Sequence, residues 1–247
     1  MSVRPMLASF LLATAVASAA DPKVLVYTKN GKGYVHDNIA TSVDALRRMG
    51  AEAGFEVTHS EDPAVFTPAN LRQYRVIVFS NSNNEAFDTD GQRAAFVEFV
   101  RNGGGFVGIH SASGSERKSA EFASIVGGRF VRHPKLQKFT IRVKDRNHPA
   151  TRHLPAEFEW EDECYYTDNN NPDIKPLLVV DPKRLDDPKL DEYPGNRFGD
   201  AAPLAWWNTI GKGRSFYTAL GHKKEHYSDP LLYKQILGGI LWAMGKN

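Results

Sequence analysis

Eight histidines stand at positions 36, 59, 110, 133, 148, 153, 222 and 226. A neutral imidazole can bind a metal, carry a proton or hydrogen-bond a substrate, yet a lone histidine more often does none of these. Three depart from that rule by position. His36, His110 and His222 each follow a predicted β-strand directly or by one loop, and the carboxyl ends of strands are where open α/β sheets collect ligands. His133, in the triplet 132–134 (RHP), is a weaker candidate. His148 and His153 lie near Pro149 and Pro155 and read as loop-shaping residues. His59 ends a strand without a companion motif, and His226 reads as a solvated residue on the approach to the last helix.

The acidic run 157–163 (EFEWEDE) reads as an edge strand with a solvated face. Its sharper reading singles out 162–165 (DECY), where Glu163 beside Tyr165 serves a polar pocket. Three histidines with one carboxylate suit a divalent metal, with His36, His110 and His222 as its nitrogen ligands. No H-E-x-x-H helix fixes their spacing. Ser111 follows His110, but no base is near it in sequence. Tyr165-Tyr166 and Trp206-Trp207 either stack on sugar rings or pack in the core.

The elements that must position these residues alternate along the chain. Residues 23–28 (KVLVYT), 55–59, 75–80 (RVIVFS) and 105–110 (GFVGIH) read as strands. Between them, Ile39, Val43, Leu46 and Met49 recur at helical spacing before Gly54. Thr67-Pro68 opens a short helix ending near Tyr74. Asp88 and Thr89 cap a helix whose apolar positions are Ala95, Phe96, Phe99 and Val100. This β-α-β-α-β-α-β order predicts a parallel sheet with helices on both faces. Further on, 119–126 suits a short helix, 139–143 and 177–180 suit strands, and 203–209 with 214–220 suit a hairpin. Residues 181–199 read as a loop and 230–244 as a closing helix. The apolar residues of that helix, Leu231, Ile236, Ile240 and Leu241, either pack inward or form a homodimer face.

Composition narrows the partners. The 247 residues carry 31 basic and 29 acidic side chains with no dense basic run, which gives no case for nucleic acid. A single cysteine, Cys164, excludes an internal disulfide and any multi-cysteine metal site. The triple glycine 103–105 precedes a strand, and G-x-G-x-x-G does not occur there, so no nucleotide cofactor is expected. Arg4 and Pro5, the apolar stretch 6–16 and the small residues 17–19 form a secretory-signal pattern. The expected organisation is a signal peptide over 1–20 and one domain over 21–247. The mature protein is then periplasmic or secreted, with no later segment apolar enough to span a membrane.

Seven ordered segments together resemble a known family. They are 34–39 (YVHDNI), 103–112 (GGGFVGIHSA), 126–134 (VGGRFVRHP), 145–149 (DRNHP), 162–165 (DECY), 211–222 (GKGRSFYTALGH) and 229–230 (DP). The chain resembles the ThuA-like (trehalose-utilisation) proteins, related in fold to class I glutamine amidotransferases. The resemblance implies a flavodoxin-like three-layer α/β sandwich. In amidotransferases a nucleophilic cysteine occupies the elbow after a central strand. Here His110 holds that place, so glutaminase chemistry is not expected.

The resemblance implies carbohydrate catabolism of glycosides oxidised at carbon 3. A ketone there acidifies the carbon-2 proton, and the carbon-1 substituent then leaves by elimination or hydrolysis. Such chemistry needs a base and an oxyanion stabiliser but not the carboxylate pair of ordinary glycosidases. On this reading His110, Glu163 and His222 are catalytic, with Glu163 or His110 as base. They either hold a metal that polarises the ketone or divide acid and base roles directly. His133, Tyr165 and Trp207 contact the substrate. The competing class is a non-catalytic sugar-binding protein whose histidines grip hydroxyls.

Overall fold

The computed structural model describes residues 21–168, 171–193 and 201–246. The export signal expected over 1–20 lies outside them. The chain begins β1 (Lys23–Tyr27), α1 (Ile39–Ala53), β2 (Glu56–Ser60), α2 (Pro68–Leu71), β3 (Tyr74–Ser80), α3 (Asp90–Arg101), β4 (Gly105–Ile109) and α4 (Ala120–Val126). It continues β5 (Arg129–Arg132), β6 (Gln137–Val143), β7 (Glu157–Asp162), β8 (Tyr166–Asp168), β9 (Lys175–Val180), β10 (Ala202–Ile210), β11 (Gly213–Thr218) and α5 (Pro230–Ala243).

Nine of these strands form one sheet in the order β2-β1-β3-β4-β11-β10-β9-β6-β7. The first five are mutually parallel. The last four pair antiparallel, so only β10 and β6 run against the rest. Strands buried on both faces need continuous apolar runs. Val24, Leu25, Val26 and Tyr27 in β1, and Val76, Ile77, Val78 and Phe79 in β3, are accordingly buried. Helices α1 and α5 pack together on one face, and α3 and α4 on the other. The result is a three-layer α/β sandwich. Phe66, Phe79, Phe87, Phe96, Phe106 and Phe122 interlock in the core, with neighbouring ring centroids 4.8 to 6.4 Å apart. Burying each ring contributes roughly 1.5–3 kcal/mol.

Local chemistry sets the element ends. Gly54 takes φ +69° and closes α1, a left-handed conformation that costs glycine least. Thr89 and Gln92 form a reciprocal capping box at α3. Asp229 caps α5, with Pro230 in its first turn. In α5, Ile236 and Ile240 are buried while Leu231 and Leu241 are half-buried. Among the described residues no helix is long and apolar enough to cross a membrane.

Several expected boundaries move. The helix expected to reach Tyr74 is one turn, because the chain already enters β3 at that residue. The acidic run is indeed an edge strand, β7, with Glu157 and Glu159 exposed. Two strands have no counterpart in the sequence reading. β5 and β8 are four and three residues long, too short to show alternation, and pair in a separate two-stranded sheet. That small sheet contacts the turn after β4.

Candidate functional site

β4 ends at Ile109, and His110 then takes φ +52°, a left-handed conformation that costs a non-glycine residue about 1–3 kcal/mol. Hydrogen bonds hold it there. The His110 carbonyl accepts from the Tyr217 hydroxyl at 2.7 Å, and its Nδ1 lies 2.7 Å from the Ala219 carbonyl. A carbonyl can only accept, so Nδ1 carries the proton and the Nε2 lone pair faces away from it. Strained backbone of this kind concentrates at functional sites.

Three other residues meet that lone pair. His36, from the loop after β1, places Nε2 3.1 Å from His110 Nε2. Glu163, just past β7, places Oε2 3.5 Å from His110 Nε2 and 3.2 Å from His222 Nδ1. His222 follows β11. One ligand atom from each of His36, His110, Glu163 and His222 lies within 4.8 Å of the others. His36 and His110 are buried, and Glu163 and His222 are half-buried.

The electrostatics favour a cation. Burial, reinforced by His110 and His222, pushes the His36 pKa down to about 3, so its imidazole is neutral at ordinary pH. Burial pushes the Glu163 carboxyl up, but the close imidazoles of His110, His222 and His133 outweigh it and hold the group well below the usual range. The Glu163 carboxylate in turn pushes His222 up. His222 Nδ1 is buried and has no well-formed hydrogen bond, despite its nearness to Glu163. An orphaned buried nitrogen, a lone pair fixed by tautomer and a single carboxylate among imidazoles together fit a divalent metal. Donation of the other ring nitrogen to a carbonyl, as His110 does to Ala219, is the usual support for a metal-binding histidine.

Two further predicted residues lie at this cluster. His133 Nε2 is 3.5 Å from Glu163 Oε1, and its Nδ1 is 2.7 Å from the Pro134 carbonyl. The Tyr165 hydroxyl is 3.0 Å from His110 Nε2, and its ring stacks on that of His133. Burial, reinforced by Glu163, raises the Tyr165 pKa far above normal, so it stays a neutral donor. A cleft of about 450 Å³ leads from His133 between residues 132–135 and 186–189.

Trp207 is not among them, which corrects the expectation of a sugar contact. Its indole packs in the layer beneath α5, 6.2 Å from His148 and 5.2 Å from Trp242. Trp206, on the opposite face by strand alternation, is fully buried and donates to the Val126 carbonyl. Tyr166 is also core, beside Tyr193. His226 is buried against Trp160 and not solvated. His148 is likewise buried, His153 hydrogen-bonds with the Leu231 carbonyl and His59 with the Thr28 hydroxyl.

Sequence reasoning missed two participants. Asp162 is fully buried, and its carboxylate accepts from the backbone amides of Glu163, Gly221 and His222 and from Trp160 Nε1. Asn38 Nδ2 donates to the Gly221 and His222 carbonyls. These two side chains fix where Glu163 and His222 point. Ser111 Oγ lies 3.2 Å from His36 Nδ1, a base that sequence proximity could not reveal. With a pKa near 3, His36 is too weak a base to activate that serine at neutral pH. Cys164 is fully buried, with its thiol pushed up by burial, and is therefore no nucleophile.

The comparisons with known proteins agree with this architecture. None of the curated proteins compared matches the chain. A ThuA-like protein from Bacteroides uniformis shares 24% identity with a TM-score of 0.72, covering 94% of this chain and 95% of its own. One from Parabacteroides merdae shares 22% with a TM-score of 0.69, covering 92% and 91%. A GMP synthase protein from Thermoplasma acidophilum shares 12% with a TM-score of 0.54 over 92% and 96%, a likeness of fold alone. The family described as trehalose utilisation matches residues 23–243, and the chain belongs to that ThuA family.

Proposed function

We propose that the protein is a metal-dependent enzyme of carbohydrate catabolism acting on glycosides oxidised to a ketone at carbon 3. The observation that carries this reading is the convergence of three imidazole nitrogens and one carboxylate within 4.8 Å at the strand ends of a trehalose-utilisation fold. His36, His110, Glu163 and His222 would hold a divalent cation. Such a cation supplies Lewis-acid polarisation of a carbonyl oxygen.

The chain's own groups supply the proton transfers. His110 is fully buried among cluster partners, and the Glu163 carboxyl is held at low pKa, so neither is a good base. His133 has its Nδ1 on a carbonyl, which leaves a lone pair on Nε2, 3.5 Å from Glu163 Oε1, and its side chain is 33% exposed at the mouth. His133 takes the carbon-2 proton. The electrons of that C–H bond pass into the enolate, then form a C1=C2 double bond as the C1–O bond breaks. Tyr165 donates a hydrogen bond to the oxygen that gains charge. The leaving oxygen takes up the proton that His133 removed, and addition of water across the double bond, hydrogen to carbon 2 and hydroxyl to carbon 1, completes a net hydrolysis. The signal pattern at 4–19 supports an activity outside the cytoplasm.

The test uses metal-loaded protein and methyl α-glucoside oxidised at carbon 3 and deuterated at carbon 2. The expected result is methanol release with a primary isotope effect, abolished in H133A. Binding of oxidised and ordinary sugars alike without methanol release would instead establish the non-catalytic binding protein.

A further inference from the structure

Among the described residues, three large hydrophobic side chains are exposed: Tyr34 at 63%, Val35 at 54% and Val131 at 40%. Two of them, Tyr34 and Val35, sit on the loop that carries the cluster residue His36. Tyr34 and Val35 immediately precede His36, and Val131 lies two residues before His133. Isolated exposed apolar residues need no explanation, but an exposed aromatic ring in contact with a polar cluster does. The Tyr34 ring stands edge-to-face against His36, with centroids 4.8 Å apart.

The platform is held in place by the neighbouring loop after β3. The Gly31 amide donates to the Asn83 carbonyl at 2.8 Å, and the Lys32 amide donates to Glu85 Oε2 at 3.1 Å. Asn83 Nδ2 donates to the Tyr34 carbonyl at 3.3 Å. Gly33 takes φ +143°, and a Cβ there would come within 2.6 Å of Asn84 Nδ2. A loop held this way loses little backbone freedom when the ring it carries meets a ligand.

We infer that Tyr34, on the loop that carries His36, forms a subsite that grips the apolar face of a pyranose ring while the His/Glu cluster engages its polar edge. A pyranose presents C–H bonds on one face and hydroxyls at its rim, and an aromatic ring next to convergent polar groups matches both. The inference deepens the sugar reading above and rests on it. It moves the stacking role from Trp207, which is packed beneath α5, to Tyr34.

The experiment compares wild type, Y34A, Y34F and Y34W in the metal-loaded state, using methyl α-glucoside oxidised at carbon 3. Metal content and sedimentation are recorded on each protein. The expected result is an about tenfold rise in KM for Y34A, equivalent to about 1.4 kcal/mol. The change in kcat is smaller, metal content is unchanged, and Y34F and Y34W recover the affinity because the ring face and not the hydroxyl makes the contact. An unchanged KM in Y34A, with wild type active, overturns the subsite and leaves the proposed function standing. A change in sedimentation without a change in KM assigns the rim to a second copy of the chain and also overturns it. Failure of wild type to bind or turn over the oxidised glycoside removes both readings.

Discussion

Replacing Asp162 by asparagine removes the charge that holds two of the four cluster residues in place. Oδ1 accepts from the Glu163 amide at 2.9 Å and the His222 amide at 3.3 Å. Oδ2 accepts from Trp160 Nε1 and the Gly221 amide, both at 2.9 Å. An asparagine offers one oxygen, so its NH2 group must face one of these donor pairs. Two hydrogen bonds to a charged group are lost, each contributing about 1.5–3 kcal/mol, and N–H donors are left buried. D162N should therefore lose about 3–5 kcal/mol of stability. For a chain of this size that lowers Tm by on the order of 10 °C. Because the amides belong to Glu163 and His222, metal affinity should also fall by about 10–100-fold. Urea unfolding of metal-free protein separates the first effect from the second, and a metal titration reads the second. A D162N protein within about 1 kcal/mol of wild type, with unchanged metal affinity, would refute the positioning role.

Other perturbations test neighbouring parts of the account. Arg132 makes paired bonds to Asp187 at 3.1 and 3.0 Å and lies over the Tyr166 ring, so R132K cannot reproduce the fork or the stack. Limited proteolysis should show faster cleavage within 181–193, and a wild-type cleavage rate would contradict the anchoring. His148 is buried among aromatic rings with its pKa lowered by burial from 6.5 to about 4. The unfolded chain binds that proton more readily, so stability present above pH 6.5 is lost as pH falls towards about 4, by up to about 3 kcal/mol. H148N keeps an acceptor for the Ala150 amide, as Nδ1 does now, and should flatten that part of the stability profile. Equal slopes in the two proteins would sink the assignment. Cys164 is fully buried, and a thiol reagent should label it only after denaturation. Rapid labelling of native protein would reopen thiol chemistry.

The layered sheet was legible because apolar runs and helical periods survive in the sequence whatever the loops do. His110 stood out by ending such a run, and His222 by following another. Residue type carries no direction, which is why Trp207 misled: its neighbour Trp206 faces the other side of β10, and neither side is the site. Asp162 was readable in principle. It shares its strand face with Phe158 and Trp160 by the alternation of β7, and a carboxylate in line with two aromatics is a buried charge needing partners. The uniform acidity of 157–163 concealed that parity. His133 and Tyr165 reach the cluster from the ends of β5 and β8, strands too short for any period to reveal. The pairing of Ser111 with His36 joins residues 75 apart in sequence and is a product of folding alone.

The central claim is that His36, His110, Glu163 and His222 together hold a divalent cation. Elemental analysis of the purified protein after loading and dialysis, alongside H36A, H110A, E163Q and H222A of verified fold, tests it most directly. The account predicts about one metal per wild-type chain and loss of it in each variant. No bound metal under any loading condition, or equal metal content in the variants, would contradict it.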